Sequence, residues 1–350
     1  MLKGLKVIDL SSVLAGPSVA TFFAELGATV IKIEHPLHKD VTRTWKLPEE
    51  DPDSEISAYF ASVNFRKEYQ FLDLKKDEDH GCFLNLISDA DILIMNFKKG
   101  DDVKLRLQEE SLLSINPRLI IGKINGYGEE NDRVAYDLVL QGESGFMSMN
   151  GTHESGPVKM PVALIDVLAA HHLKEAILLA LYNREKSGEG KVVSVSLYDA
   201  AISSLVNQAS NYLMTGQVPQ RIGSIHPNIA PYGEVFRTAD GAQVVFAIGS
   251  DQHFAKLCTI LGLKDLPEKN EFRNNQNRVK NRGKLASLIT EQTAKLHSDT
   301  LLELLHHEHI PAGKIMDLKE VFDNAQAKEL IREEVIDGIP TARVASFIFK

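Results

Sequence analysis

The sequence predicts an α/β protein in which a large domain of alternating strands and helices is accompanied by a smaller second module. Three observations predict it. Apolar, strand-like runs alternate with helical stretches from residue 6 to residue 197. The strand, turn, helix and strand of residues 6–34 spell a βαβ unit. Finally, 350 residues exceed what a single hydrophobic core usually holds, and residues 223–309 carry strands and helices of their own.

Residues 6–10 form a short apolar strand, followed by the turn Ser11-Ser12-Val13-Leu14-Ala15-Gly16-Pro17 and a helix over 18–26 that stops at Gly27. A second strand covers 29–34. Gly16 stands alone in the turn and precedes Pro17, so the G-x-G-x-x-G run of a dinucleotide site is missing. A polar loop over 36–55 holds Arg43 and the only tryptophan, Trp45. Residues 62–75 lead a basic cluster into a strand. A helix over 76–88 and a strand over 91–95 follow, closing on Asn96-Phe97-Lys98-Lys99-Gly100. Ligands of such sheets bind beyond the carboxyl ends of the strands, and Arg66, Lys67, Asn96 and Lys104 are expected at or near such ends.

Another strand spans 119–125, and the loop after it reaches Tyr136-Asp137. Residues 138–149 carry Gln141, Ser144 and Gly145, and a polar loop over 151–158 delivers the chain to Asp166. That carboxylate is flanked by apolar residues on both sides, in Val-Ala-Leu-Ile-Asp166-Val-Leu-Ala-Ala. Burying it unpaired is costly, so it must find partners or pull itself out of the apolar environment. Apolar residues cover most of the circumference of a helix predicted over 167–181, which places Asp166 at or just before a helix start. On the residues alone it reads as an N-cap, at a helix start whose N–H groups favour an anion.

A turn over 184–191 and an alternating strand over 192–197 complete the first domain. A helix over 200–216 leads out of it. The second module is expected to hold strands at 233–237 and 244–248 and helices at 252–261, 283–295 and 299–307, with the chain returning from Pro311. The expected divisions are therefore 1–200, a linker helix over 201–222, a small domain over 223–310 and a return over 311–350.

Composition narrows the function. Hydrophobic residues at 43% and charged residues at 25% fit a folded enzyme, and no apolar run is long enough for a bilayer. A net charge of −9 argues against nucleic acid or an anionic membrane as the main partner. The opening residues lack a signal-peptide layout, and Cys82 and Cys258 have no metal-ligand spacing; both point to the reducing cytoplasm. His306, His307 and His309 read as a surface helix, so no metal site is expected.

Leu14-Ala-Gly-Pro, Val30-Ile-Lys-Ile-Glu-His-Pro, Leu72-Asp-Leu-Lys, Asn96-Phe, Tyr136-Asp137 with Gln141 and Gly145, Ile165-Asp166, and Gly188-x-Gly-Lys-Val-Val-Ser-Val-Ser-Leu-Tyr-Asp-Ala follow one another in a fixed order. With Ile222-Gly-Ser-Ile-His-Pro-Asn, Phe236-Arg-Thr-Ala-Asp-Gly and Ile310-Pro-Ala-Gly farther on, this succession resembles the family III CoA-transferases, whose close relatives are the α-methylacyl-CoA racemases. The resemblance covers nearly the whole chain and thins after Gly338.

It implies a Rossmann-like large domain built from both ends of the chain, a smaller α+β domain, and two subunits interlocked as a homodimer. It also implies an acyl-CoA donor and a carboxylic acid acceptor, with the coenzyme A thioester as substrate and no permanently bound cofactor. By resemblance Asp166 is the nucleophile, with Tyr136, Gln141 and Gly249 contacting the substrate or intermediate. Val13, Ala15, Lys75, Asn96 and Phe97 would bind CoA, joined by Arg66 and Lys67 of the basic run and by Lys104. His35, Phe65 and Glu68 depart from the family pattern at the nucleotide end. Only Gly249-Ser250 occupies the place of a glycine run that closes over the intermediate, which does not point to an oxalate-type substrate. A racemase would have a histidine where this chain has Tyr136, and a phenol is a poor base at neutral pH. The alternatives to a transferase are that isomerase and a non-catalytic CoA-binding protein.

Overall fold

A strand buried on both faces must send successive side chains into two different cores, and the strands of the first 200 residues do this. Val7, Val30, Ile92, Ile94 and Ile120 enter one hydrophobic cluster, while their neighbours Ile8, Ile31, Leu93, Met95 and Ile121 enter another. The strands are β1 (Lys6–Asp9), β2 (Thr29–Glu34), β3 (Lys67–Phe71), β4 (Ile92–Met95), β5 (Ile120–Asn125) and β6 (Lys191–Ser196). They form one sheet in the order β3-β2-β1-β4-β5-β6, parallel throughout. The helices of this region are α1 (Ala15–Glu25), α2 (Ala58–Ser62), α3 (Asp77–Ile87), α4 (Asp101–Lys104), α5 (Glu109–Ile115), α6 (Asp137–Glu143), α7 (Phe146–Met149), α8 (Leu164–Ser187), α9 (Leu197–Ser203) and α10 (Val206–Thr215). Helices α1, α8 and α9 cover one face and α3 and α5 the other.

The computed structural model describes residues 1–348. They divide into two compact units, the first made of Met1–Asn150, Pro157–Gln220 and the chain from Lys328, the second of Gly151–Gly156 and Arg221–Ala327. In the second unit, β7 (Tyr232–Arg237), β8 (Gln243–Ala247) and β9 (Ala312–Lys314) form an antiparallel sheet, packed with α11 (Asp251–Ile260), α12 (Asn275–Lys280), α13 (Arg282–Thr293) and α14 (Ser298–His307) around Phe236, Phe246, Phe254 and Phe272. The unit extends past the boundary expected at 310, because Ala312–Lys314 supply its third strand. Two short helices, α15 (Leu318–Asp323) and α16 (Ala325–Lys328), then lead to the hairpin of β10 (Ile331–Ile336) and β11 (Ile339–Val344) in the first unit. The expected linker helix is two helices, α9 and α10, broken where Val206 takes a φ of 43°. No described helix is long and apolar enough to cross a membrane.

Helix α8 carries Asp166. Gly122 of β5 lets it approach the sheet, since a Cβ there would stand 2.8 Å from Ile177 Cδ1. Ile165, Ala169, Leu173, Ile177 and Ala180 face the core. The predicted burial over most of the circumference is not met at Leu178, which is exposed, as are Leu179 and Tyr182 beside it.

Lys174 on the buried side has no hydrogen-bond or ion-pair partner among the described residues and sits 5.5 Å from the Phe22 ring centroid. Burial pushes its ammonium down to about 8 from 10.5. The folded chain therefore holds that proton less tightly than the unfolded one. The cost is full below about pH 8 and fades as the pH rises toward the unfolded value. Lys174→Met is expected to stabilise the protein at pH 7 by on the order of 2 kcal/mol, with the gain shrinking by pH 10, as urea unfolding at the two pH values would show.

Candidate active site

The strand order reverses between β1 and β4, and ligands of open α/β sheets bind beyond the carboxyl ends at such a reversal. Here the two ends are stapled together. Ser12 N–H donates to Asn96 Oδ1 at 3.0 Å and Asn96 Nδ2 donates to Ser12 O at 2.8 Å. Val13 follows with a φ of 72°, its N–H donating to Asp40 at 3.2 Å. Ala15 is the first residue of α1 and is buried. A cavity of about 350 Å³ opens at this end of the sheet, lined among others by Ser11, Ser12, His35, Lys39, Asp73, Lys75 and Phe97. Phe97 also lines a second cavity of about 430 Å³, with Lys98, Lys99, Lys123 and Arg133.

Of the residues expected to hold CoA, Lys75 and Phe97 thus line the first cavity, while Asn96, Val13 and Ala15 build its surroundings. Three others lie elsewhere. Lys104 is paired with Asp101 at 3.0 Å and lines neither cavity. Arg66 and Lys67 precede and open β3, at the amino edge of the sheet rather than its carboxyl edge. Arg66 is exposed, with its N–H donating to Glu334 at 3.0 Å.

Lys67 departs furthest from expectation. Its ammonium is fully buried and donates to Asp9 Oδ2 at 2.8 Å and to Pro17 O, Val63 O and Asn64 Oδ1, each at 2.9 Å. A side chain so committed has no donor left for a phosphate. It belongs to a buried charge network. Lys32 donates to Ser11 O at 2.8 Å and stands 3.3 Å from Asp40. Glu34 and Arg43 form a two-point pair at 2.5 and 3.1 Å. Burial alone would raise Asp9, but Lys32, Lys67 and Ser11 outweigh it and hold the carboxyl below its ordinary range. The network fixes the turn after β1 from beneath.

Asp166 is the third residue of α8, inside the first turn, and not the N-cap. Ala163 occupies the cap position and supplies no side-chain acceptor. Asp137, the first residue of α6, takes over that role from a distant part of the chain. Its Oδ1 accepts from Ile165 N–H at 2.7 Å and its Oδ2 from Gln141 Nε2 at 2.6 Å. Gln141 is fully buried and its Oε1 accepts from Met160 N–H at 2.8 Å, so it braces the segment leading into α8. Tyr136, one residue before Asp137, is half exposed at 50%. Gly249 follows β8 in the second unit, with open space where a Cβ would stand.

The carboxylate of Asp166 is only 8% exposed and accepts no hydrogen bond from any described residue. Burial, aided by the charge of Asp137, pushes it up to about 7. The helix start was expected to keep it ionised. It does not prevail here, because the amide of Ile165 is spent on Asp137 and a second carboxylate stands near. The Asp166 N–H itself has no acceptor among the described residues, whereas Leu164 donates to Val162 O and Val167 to Ala163 O. It is an unspent donor beside the carboxylate.

Tyr59 carried no signal in the sequence. It is half-buried on α2, and burial with the charges of Asp166, Asp137 and Asp40 pushes its phenol up to about 12. At neutral pH it therefore keeps its proton, within electrostatic reach of the two carboxylates. Trp45 packs edge-on against it, ring centroids 5.1 Å apart. Among the described residues no three His, Cys, Asp or Glu side chains gather as metal ligands.

The profile of CoA-transferase family III matches residues 2–343. The chain belongs to this family. It is 37% identical to a succinate–glutarate CoA-transferase of Agrobacterium fabrum over 99% of this chain and 89% of that one. It is 35% identical to an acetyl-CoA:oxalate CoA-transferase of Acetobacter aceti, over 91% of this chain and 81% of the relative. Among solved structures, a CAIB/BAIF family protein of Brucella suis superposes with a TM-score of 0.85 at 37% identity, covering 100% of this chain and 92% of the other. The chain is thus a CoA-transferase, and an acyl-CoA and an acid are its substrates.

Proposed function

We propose that this family III CoA-transferase moves CoA between acids through covalent intermediates on Asp166, with a short dicarboxylic acid as acceptor. One observation carries the assignment of the nucleophile. Asp166 is nine-tenths buried, lacks any hydrogen-bond partner among the described residues and sits beside another carboxylate. A carboxylate kept for stability would be paired, because an unpaired one costs free energy. The acceptor class rests on the relatives, whose names specify succinate, glutarate and oxalate.

The chemistry balances without any external acid or oxidant. An Asp166 oxygen attacks the thioester carbonyl, the C–S bond breaks, and CoA leaves as thiolate from a mixed anhydride. The thiolate then attacks the aspartyl carbonyl, the anhydride C–O bond breaks, and the donor acid departs as carboxylate. The acceptor carboxylate repeats the sequence in reverse on the aspartyl thioester, and Asp166 is regenerated. Each tetrahedral oxyanion needs a donor, for which the free Asp166 N–H and the Tyr59 hydroxyl are suited. Lys75 and the neighbouring cavity lining would take the nucleotide end. The same reading includes a homodimer, supported by apolar side chains left exposed on α8 and α10, Leu179, Tyr182, Leu213 and Met214.

Hydroxylamine added during turnover with succinyl-CoA should convert Asp166 to its hydroxamate, located by peptide mass spectrometry. An unmodified Asp166 under conditions where transfer proceeds would exclude the covalent route.

A further inference from the structure

Asp166 does not hold its own position. The amide that begins its turn, Ile165 N–H, is engaged by Asp137 Oδ1 at 2.7 Å, and the other oxygen of Asp137 is engaged by Gln141 at 2.6 Å. Gln141 in turn holds Met160 N–H at 2.8 Å, in the segment that enters α8. One oxygen of Asp137 thereby ties the start of α8 to α6, and the other is held within α6 by Gln141. The same carboxylate is the one charge that bears on Asp166. Like charges at short range oppose each other's ionisation.

We infer that Asp137 is a positioning residue acting through Asp166, capping the helix that carries the nucleophile while holding a second carboxylate against it. The inference rests on the covalent reading given above. Its two effects pull in different directions. The cap fixes the attacking oxygen, whereas the charge adds to burial, the larger cause, in opposing its ionisation.

The surroundings leave no other group to share this role. Of the elements packed against α8, α6 carries, besides Asp137, Glu143, which is paired with Arg133, and α1 carries Glu25, which is paired with Arg343. The strand β5 carries Lys123, paired with Glu109 and Glu129. On β6 there is Lys191, and on α9 Tyr198 and Asp199; none of them bears on Asp166. Tyr59 on α2 is a neutral phenol within electrostatic reach of both carboxylates and Asp40. Lys174 lies two turns farther along α8 and is itself depressed by burial.

Asparagine and alanine at position 137 separate the two effects. Asp137→Asn keeps an oxygen for Ile165 N–H, gives up the bond from Gln141 Nε2 and removes the charge; Asp137→Ala removes all three. The acid limb of kcat/KM should move to lower pH by about one unit or more in Asp137→Asn, so that below pH 6 the variant outruns the wild type. Asp137→Ala should show the same shift together with a fall in kcat of about tenfold or more at every pH, from the loosened helix start. A limb in Asp137→Asn that coincides with that of the wild type overturns the inference. Should Asp137→Ala not fold, the asparagine profile alone decides. Hydroxamate formation at Asp166 in the wild type is scored in the same preparations. Trapping with an unmoved limb sinks only the role of Asp137, and absent trapping sinks the nucleophile beneath it.

Discussion

Asp166→Asn is expected to abolish CoA transfer and, at the same time, to make the protein more stable at pH 8. The first effect follows from the route proposed above, in which both intermediates are bonded to this side chain. Removing a nucleophile leaves only binding and polarisation, so the loss should be on the order of 10³-fold or more in kcat. The second follows from linkage. The folded-state carboxyl titrates at about 7 against 3.8 for the free group. A raised carboxyl value means that the native state binds the proton more tightly than the unfolded state. The wild type is therefore unpenalised below about pH 4, loses stability as the pH rises from about 4 to about 7, and carries the full cost above that. Asparagine has nothing to ionise. Its advantage should be on the order of 3 kcal/mol at pH 8 and should close as the pH falls toward 4, read by urea unfolding across that range. A loss of transfer without this pH-dependent gain would mean that Asp166 is better solvated than its burial indicates.

Lys67→Met is expected to have the opposite sign, a loss of about 3–5 kcal/mol in stability. Lys67 neutralises Asp9 at 2.8 Å and satisfies two backbone carbonyls and Asn64 in a dry interior. Without it, Asp9 would keep Ser11 and the more distant Lys32, 3.9 Å away, and Asn64 Oδ1 would lose its donor, while Val63 O would retain the Thr21 hydroxyl. The double variant Asp9→Asn with Lys67→Met should recover part of the loss, because the stranded charge has gone. A double-mutant cycle by urea unfolding measures this coupling. A surface phosphate contact would behave differently: its loss would raise KM for the acyl-CoA and leave the unfolding midpoint nearly unchanged.

These two residues show what is legible in a sequence and what is not. A lone acid inside an apolar run is a one-dimensional signal, and Asp166 stood out for that reason. What surrounds it was not legible. Asp137 lies 28 positions before Ile165, and nothing in the intervening sequence states that its oxygens cap the next helix. Tyr59 comes from farther away still. Lys67 was misjudged because a basic cluster looks alike at either end of a strand; here the lysine opens β3 and points into the interior. The hairpin of β10 and β11 had a local cue that went unused, Asp337-Gly338, both at positive φ as a two-residue turn requires.

The sequence by itself determined the alternation of strands and helices, the family and the carboxylate, since periodicity, ordered motifs and an isolated charge are local properties of the chain. Only the tertiary structure decided which amide meets which acid, which lysine is spent in the core, and how far burial shifts a proton. Those depend on distances between segments remote in sequence and on the water excluded around them, and neither is written in the order of residues.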